Sequence, residues 1–116
     1  MKEIKAYIHN RRIADVIRAL KESGHCNANP DTGCRNLTVT PVQSPLKAAD
    51  AGEQHYSIEL AEAVVNESKL ELICDDDQVD ELVDIIEHAA RTGQADAGWI
   101  YVSGIVAAIP IRGNHG

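Results

Sequence analysis

The sequence predicts an α+β fold, an antiparallel sheet with two helices on one face. Three observations lead there. Stretches of alternating apolar and polar residues flank two stretches whose apolar residues recur at helical spacing. Their order along the chain is β-α-β-β-α-β. A length of 116 residues, 44% of them hydrophobic, suits one domain over residues 1–116 that can bury a core without disulfide staples.

The first strand is read at residues 2–8 (KEIKAYI), where Ile4, Ala6 and Ile8 share one face and Glu3, Lys5 and Tyr7 the other. From Arg12 to Ser23, Ile13, Val16, Ile17 and Leu20 make one helical stripe, and Gly24 suits the left-handed position past its end. Residues 25–35 (HCNANPDTGCR) are rich in Asn, Pro, Asp and Gly and read as a loop. Alternation resumes at 36–42 (NLTVTPV), with Pro41 favouring a sheet edge because it has no N–H to donate. A small-residue, polar loop follows at 43–54 (QSPLKAADAGEQ). Residues 55–60 (HYSIEL) and 69–74 (KLELIC) alternate again, so a third strand is expected that is long, bulged or broken by the AEAVVNES between them.

Asp75, Asp76 and Asp77 are expected to cap a second helix and to complement its N-terminal dipole. Its stripe is Val79, Leu82, Val83, Ile86, Ala89 and Ala90, and Gly93 ends it. Residues 98–103 (GWIYVS) give a fourth strand, and 105–111 (IVAAIPI) a further extended segment. This order, with both helices on one side, is the ferredoxin-like split βαβ. If Ile4, Leu70, Leu72, Ile100 and Val102 face the helices, alternation turns Tyr7, Ile73, Trp99 and Tyr101 outward, with Val42 beside them. An exposed apolar patch of that kind marks an interface. A homo-oligomer is expected, its sheets packed on one another.

Composition removes several function classes. The formal net charge is −7, and the aromatics are Trp99, Tyr7, Tyr56 and Tyr101 with no Phe. Nucleic-acid binding, which needs basic surface and stacking platforms, is not expected. No apolar run approaches 18 residues, so no membrane insertion is expected. The start of the sequence lacks the apolar stretch of a signal peptide, so the expected compartment is the cytoplasm. The three cysteines are an odd number and too few for a disulfide framework.

No catalytic arrangement stands out: G-x-S-x-G, H-E-x-x-H, the P-loop and the dinucleotide fingerprint are all missing, and no nucleophile–base pair can be named. An enzyme is not expected. Two thiolates and an imidazole, Cys26, Cys34 and His25, could hold a soft metal such as Zn²⁺ or Cu(I) with a fourth ligand from elsewhere. The C-x7-C spacing matches no tight zinc-knuckle pattern, and the plainer reading is two loop thiols that oxidise on occasion. Cys74 alternates with Leu70 and Leu72 and reads as a small buried hydrophobe. Residues 91–99 (RTGQADAGW) leave a helix, cross a glycine-bearing turn and enter a strand. Backbone N–H groups in such a turn can receive phosphate oxygens, with Arg91 and Arg112 adding charge, although a helix C-cap glycine explains the same letters.

The opening MKEIKAYIHNRRIADVIRALKESG resembles the start of the PII nitrogen-regulatory signal-transduction family. So does KLELICDDDQVDELVDIIEHAARTGQADAGWIYV, an acidic helix start followed by a T-G-x-x-x-x-G turn and a strand, and IVAAIPIRG is similar to the family's last strand. The resemblance implies a ferredoxin-like homotrimer and adenine nucleotides in clefts between subunits. It also implies a loop after the second strand, here 43–54, that engages a membrane transporter or metabolic enzyme. Carried over residue by residue, the effector site is Thr92, Gly93, Gly98 and Arg112.

Five positions depart from the pattern. Asp96-Ala97 stands where the family's turn has Gly-Asp, Trp99 where it has a phosphate-binding Lys, Pro110 where it has a second basic residue near the end, and Glu67 where it has another Lys. Each lost cation removes charge-assisted hydrogen bonds worth roughly 1.5–3 kcal/mol. The 43–54 loop is shorter than in typical members and has no Tyr, and the 25–35 segment is extra. The alternative is a metal-responsive trimer, similar to the cation-tolerance proteins of this architecture, that draws on His25, Cys26 and Cys34.

Overall fold

The computed structural model describes residues 1–26, 33–45, 54–57, 60, 62–93 and 98–112. Strand β1 is Lys2–His9, helix α1 Ile13–Glu22, β2 Arg35–Ser44, β3 Gln54–Ser57, β4 Glu62–Cys74, α2 Val79–Ala90 and β5 Gly98–Gly104. A turn of 3-10 helix leads into each α-helix, at Asn10–Arg12 and Asp76–Gln78. The strands lie in the order β2-β4-β1-β5, all antiparallel, with β3 paired to β4 alone. This is the α+β ferredoxin-like arrangement that the periodicities predict, with one short strand added. Pro41 does sit on an edge strand.

The third-strand region resolves into a hairpin. Residues 62–68 continue the ladder rather than interrupting it, and Val65 pairs with Ser44 of β2 and with Gln54 of β3. Val64 and Val65 are adjacent in sequence and both buried, which hides the strand from an alternation test. Gln43, Ser44 and Gln54 belong to strands, Pro45 follows β2, and 46–53 of the expected loop lie outside the described residues. The tail differs as well. Ile105 donates its N–H to the Met1 carbonyl at 3.1 Å, and residues 106–112 then leave the sheet without regular structure.

Alternation decides what the core contains. Ile4, Ala6 and Ile8 of β1 and Leu70, Leu72 and Cys74 of β4 meet Val16 and Leu20 of α1 and Leu82 and Ile86 of α2, and all are buried. A fully buried Leu or Ile contributes about 1.5–3 kcal/mol relative to exposure. Ile100 packs against this cluster, whereas Val102, further along the edge strand, stays exposed.

On the other face the register aligns Thr40, Lys69, Tyr7 and Trp99 in one row and Thr38, Glu71, Lys5 and Tyr101 in the next. Lys69 pairs with Glu71 at 3.2 Å and Lys5 with Glu3 at 3.9 Å. The open face is therefore aromatic towards β5 and charged across its middle, a more polar surface than the sequence suggests.

The three aspartates do not cap. Asp75 and Gln78, at the N-cap positions, make no side-chain capping hydrogen bond. Asp75 Oδ1 instead accepts from Arg35 Nη2 at 2.8 Å, and Asp76 accepts from the terminal amine of Met1. Their charge still lies at the N-terminal, positive end of α2, as expected.

Candidate functional site at the end of the second helix

The resembling turn starts where α2 is held from outside. Arg12 donates through Nε and Nη2 to the carbonyl oxygen of Ala89, at 3.1 and 2.8 Å, while its Nη1 lies 2.8 Å from Asp15 Oδ2. A guanidinium thus satisfies a carbonyl that the helix end leaves open and complements the negative end of the dipole. Past this point Arg91 turns to extended backbone and pairs with Glu87 at 3.7 Å. Gly93, at φ +87°, takes the left-handed conformation that glycine adopts freely.

The far side of the turn is fixed by close approach. Gly98 opens β5 at φ +149°, and a Cβ placed on it would stand 2.1 Å from the carbonyl oxygen of Tyr7. Only glycine lets β5 begin this near to β1. Thr92 and Gly93 thus follow the end of α2, and Gly98 begins β5. Residues 94–97, Asp96 and Ala97 among them, lie outside the described residues. Arg112 is exposed on the tail, so its place beside the turn depends on what the tail packs against. Trp99 follows Gly98, 66% exposed and stacked on Tyr101 with centroids 6.5 Å apart. Tyr101 in turn meets Tyr7 edge-on at 6.0 Å.

The candidate metal ligands Cys26, Cys34 and His25 have other partners in this structure. Cys26 and Cys34 are bonded to each other, and neither sulfur is a thiolate that could bind a soft ion. The third member, His25, places Nε2 2.8 Å from Glu81 Oε1 on α2. Among the described residues no group of three or more His, Cys, Asp or Glu is arranged to hold a metal. Cys74 is the buried free thiol that alternation predicts, and burial pushes its pKa up.

Three side chains matter here that the sequence did not single out. Arg12 reads as a helix-start residue, yet it reaches across to the other helix's end. Glu81 and Arg35 tie the 25–35 segment to the start of α2 and are ordinary surface charges in the sequence. Only tertiary packing joins positions 40 residues or more apart, so no local pattern reveals Arg35–Asp75 or His25–Glu81 as pairs.

A family model described as nitrogen regulatory protein P-II matches residues 1–115. The chain belongs to the P-II family. It is 29% identical over 112 residues to nitrogen regulatory protein P-II 2 of Methanothermobacter thermautotrophicus, covering 97% of this chain and 90% of that protein. It is 31% identical over 112 residues to nitrogen regulatory protein P-II of Bradyrhizobium diazoefficiens, covering 97% and 92%. To nitrogen regulatory protein GlnK of Escherichia coli K12 it is 30% identical over 112 residues, again covering 97% and 92%. These P-II proteins are regulators by name, not enzymes. Among the described residues no helix is long and apolar enough to cross a membrane.

Proposed function

We propose that this P-II protein acts as a cytoplasmic homotrimer that senses a small effector, an adenine nucleotide, in clefts between subunits. The effector's phosphates lie on the turn bounded by Thr92, Gly93 and Gly98, with Arg112 supplying charge. Occupancy biases the 43–54 segment, which binds or releases a membrane transporter or metabolic enzyme. Such a bias requires that the effector bind two states of the segment with different affinity. The observation that carries the reading is the turn itself. A helix end with the left-handed Gly93 on one side and the close-packed Gly98 on the other bound this turn at the edge of the sheet, in a chain that matches P-II over residues 1–115.

Isothermal titration of AMP, ADP and ATP, each with and without Mg²⁺, tests it. Trp99 and Pro110 stand where typical members carry cations, so AMP and ADP are expected to bind at least as well as ATP. Trp99→Lys restores one cation and is expected to tighten ATP binding by about tenfold or more, the equivalent of one charge-assisted hydrogen bond. No heat with any of the three nucleotides removes the nucleotide from the reading.

A further inference from the structure

Residues 25–35 lie between the blocks that resemble the family, and their ends are built with care. Cys34 donates its backbone N–H to the carbonyl oxygen of His25 at 2.7 Å. Gly33, at φ +71°, lies so close that a Cβ there would stand 1.7 Å from the same oxygen. Any other residue at position 33 would hold the two strands of this clasp apart and keep Cys34 from Cys26. The glycine thus serves the sulfur–sulfur bond.

Further contacts anchor the two cysteines and their neighbours alongside that bond. Cys26 and Cys34 belong to the aliphatic core cluster, where a thiol packs as a small hydrophobe. His25 is tied to Glu81 and Arg35 to Asp75, each at 2.8 Å, so one end of the clasp rests on α2 and the other on the residue before its leading 3-10 turn. Opening the bond leaves two thiols in apolar surroundings and these two ion pairs as the remaining ties, so the start of β2 is held less firmly.

We propose that Cys26 and Cys34 are a reversible redox site, reduced by a dithiol, whose two states differ in how firmly the start of β2 is held on α2. A thiolate of the dithiol attacks one sulfur, breaks the bond between Cys26 and Cys34, and releases the other cysteine. The reductant's second thiol then displaces the remaining cysteine and leaves as a cyclic or protein disulfide. The two electrons and two protons lost by the reductant end on Cys26 and Cys34. The inference does not depend on nucleotide binding.

The test is thiol counting with hydrogen exchange on the full-length chain. Air-oxidised protein, denatured and treated with maleimide, is expected to take one label, on Cys74; after dithiothreitol it takes three. Titration through dithiothreitol redox buffers gives the same midpoint in both directions, with an unchanged far-ultraviolet spectrum. In the reduced chain the amides of Cys34 and Arg35 exchange at least about tenfold faster, and a C26S/C34S variant matches the reduced chain. Gly33→Ala takes three labels without reductant. Three labels on the air-oxidised wild type overturn the proposal. So does aggregation on reduction, which marks a permanent staple, or identical exchange in the two states, which marks a bond without consequence.

Discussion

Gly98 shows how one residue sets the geometry of the candidate site. Its missing Cβ admits the Tyr7 carbonyl, and its φ of +149° lies where other residues are strained. Gly98→Ala is expected to push the start of β5 off β1 and to cost about 1–3 kcal/mol, read as a lower urea midpoint. The sequence marks Gly98 only as part of a turn, because close approach between strands is a property of the packed sheet. Cys74 was legible at this scale, since its place in the Leu70–Leu72 alternation fixes its burial.

Burial also gives Cys74 a pH signature. Desolvation raises its thiol above the ordinary value of 9.0, with the Asp75 charge adding to the shift. A raised acid contributes stability that is whole below the unfolded value and is lost as pH rises through the folded one. Wild-type stability therefore falls more steeply above about pH 9 than that of Cys74→Ala, whose own deficit from the vacated volume is constant with pH. Urea midpoints of both chains from pH 7 to 11 check this. Parallel curves would show that the thiol does not titrate with folding.

Among the elements, the helices were the easiest to read because each has one stripe and one buried face. β3 and β4 were not, since two adjacent buried valines break the period of two that announces a strand. The end of α2 was half legible. Gly93 marks where the helix stops, but what holds the last turn is Arg12, 77 residues away. Arg12→Ala removes two hydrogen bonds to Ala89 and is expected to destabilise the chain by about 1–2 kcal/mol while the amides of 90–93 exchange faster. Arg12→Lys recovers little, because an ammonium cannot reproduce the planar fork. Full recovery by lysine would make the contact a matter of charge alone.

At the scale of the whole molecule, what the protomer leaves uncovered matters most. Val106 and Ile111 are fully exposed and Ile109 is 84% exposed on the tail beyond β5, and Trp99 and Tyr101 stand exposed on β5 itself. Each such side chain gains about 1.5–3 kcal/mol when buried, so the tail and the aromatic end of the open face favour a neighbouring copy over water. The proposed trimer supplies that copy, and it is also what would bring Arg112 to a turn, its own or a neighbour's. The charged middle of the sheet, Lys5, Glu71 and Lys69 with Glu3, then has to pair across or within the assembly, since buried charges left alone are costly. Replacing Val106 and Ile109 together by Asp puts carboxylates into the proposed contact while touching nothing in the core. Sedimentation at micromolar concentration is expected to give a trimer for the wild type and smaller species for the double variant, with far-ultraviolet spectra alike. Nucleotide affinity should fall in step with the loss of trimer, because the cleft needs two subunits. A wild-type chain that sediments as a folded protomer, or a variant that stays trimeric, would place the tail and the effector site on separate footings.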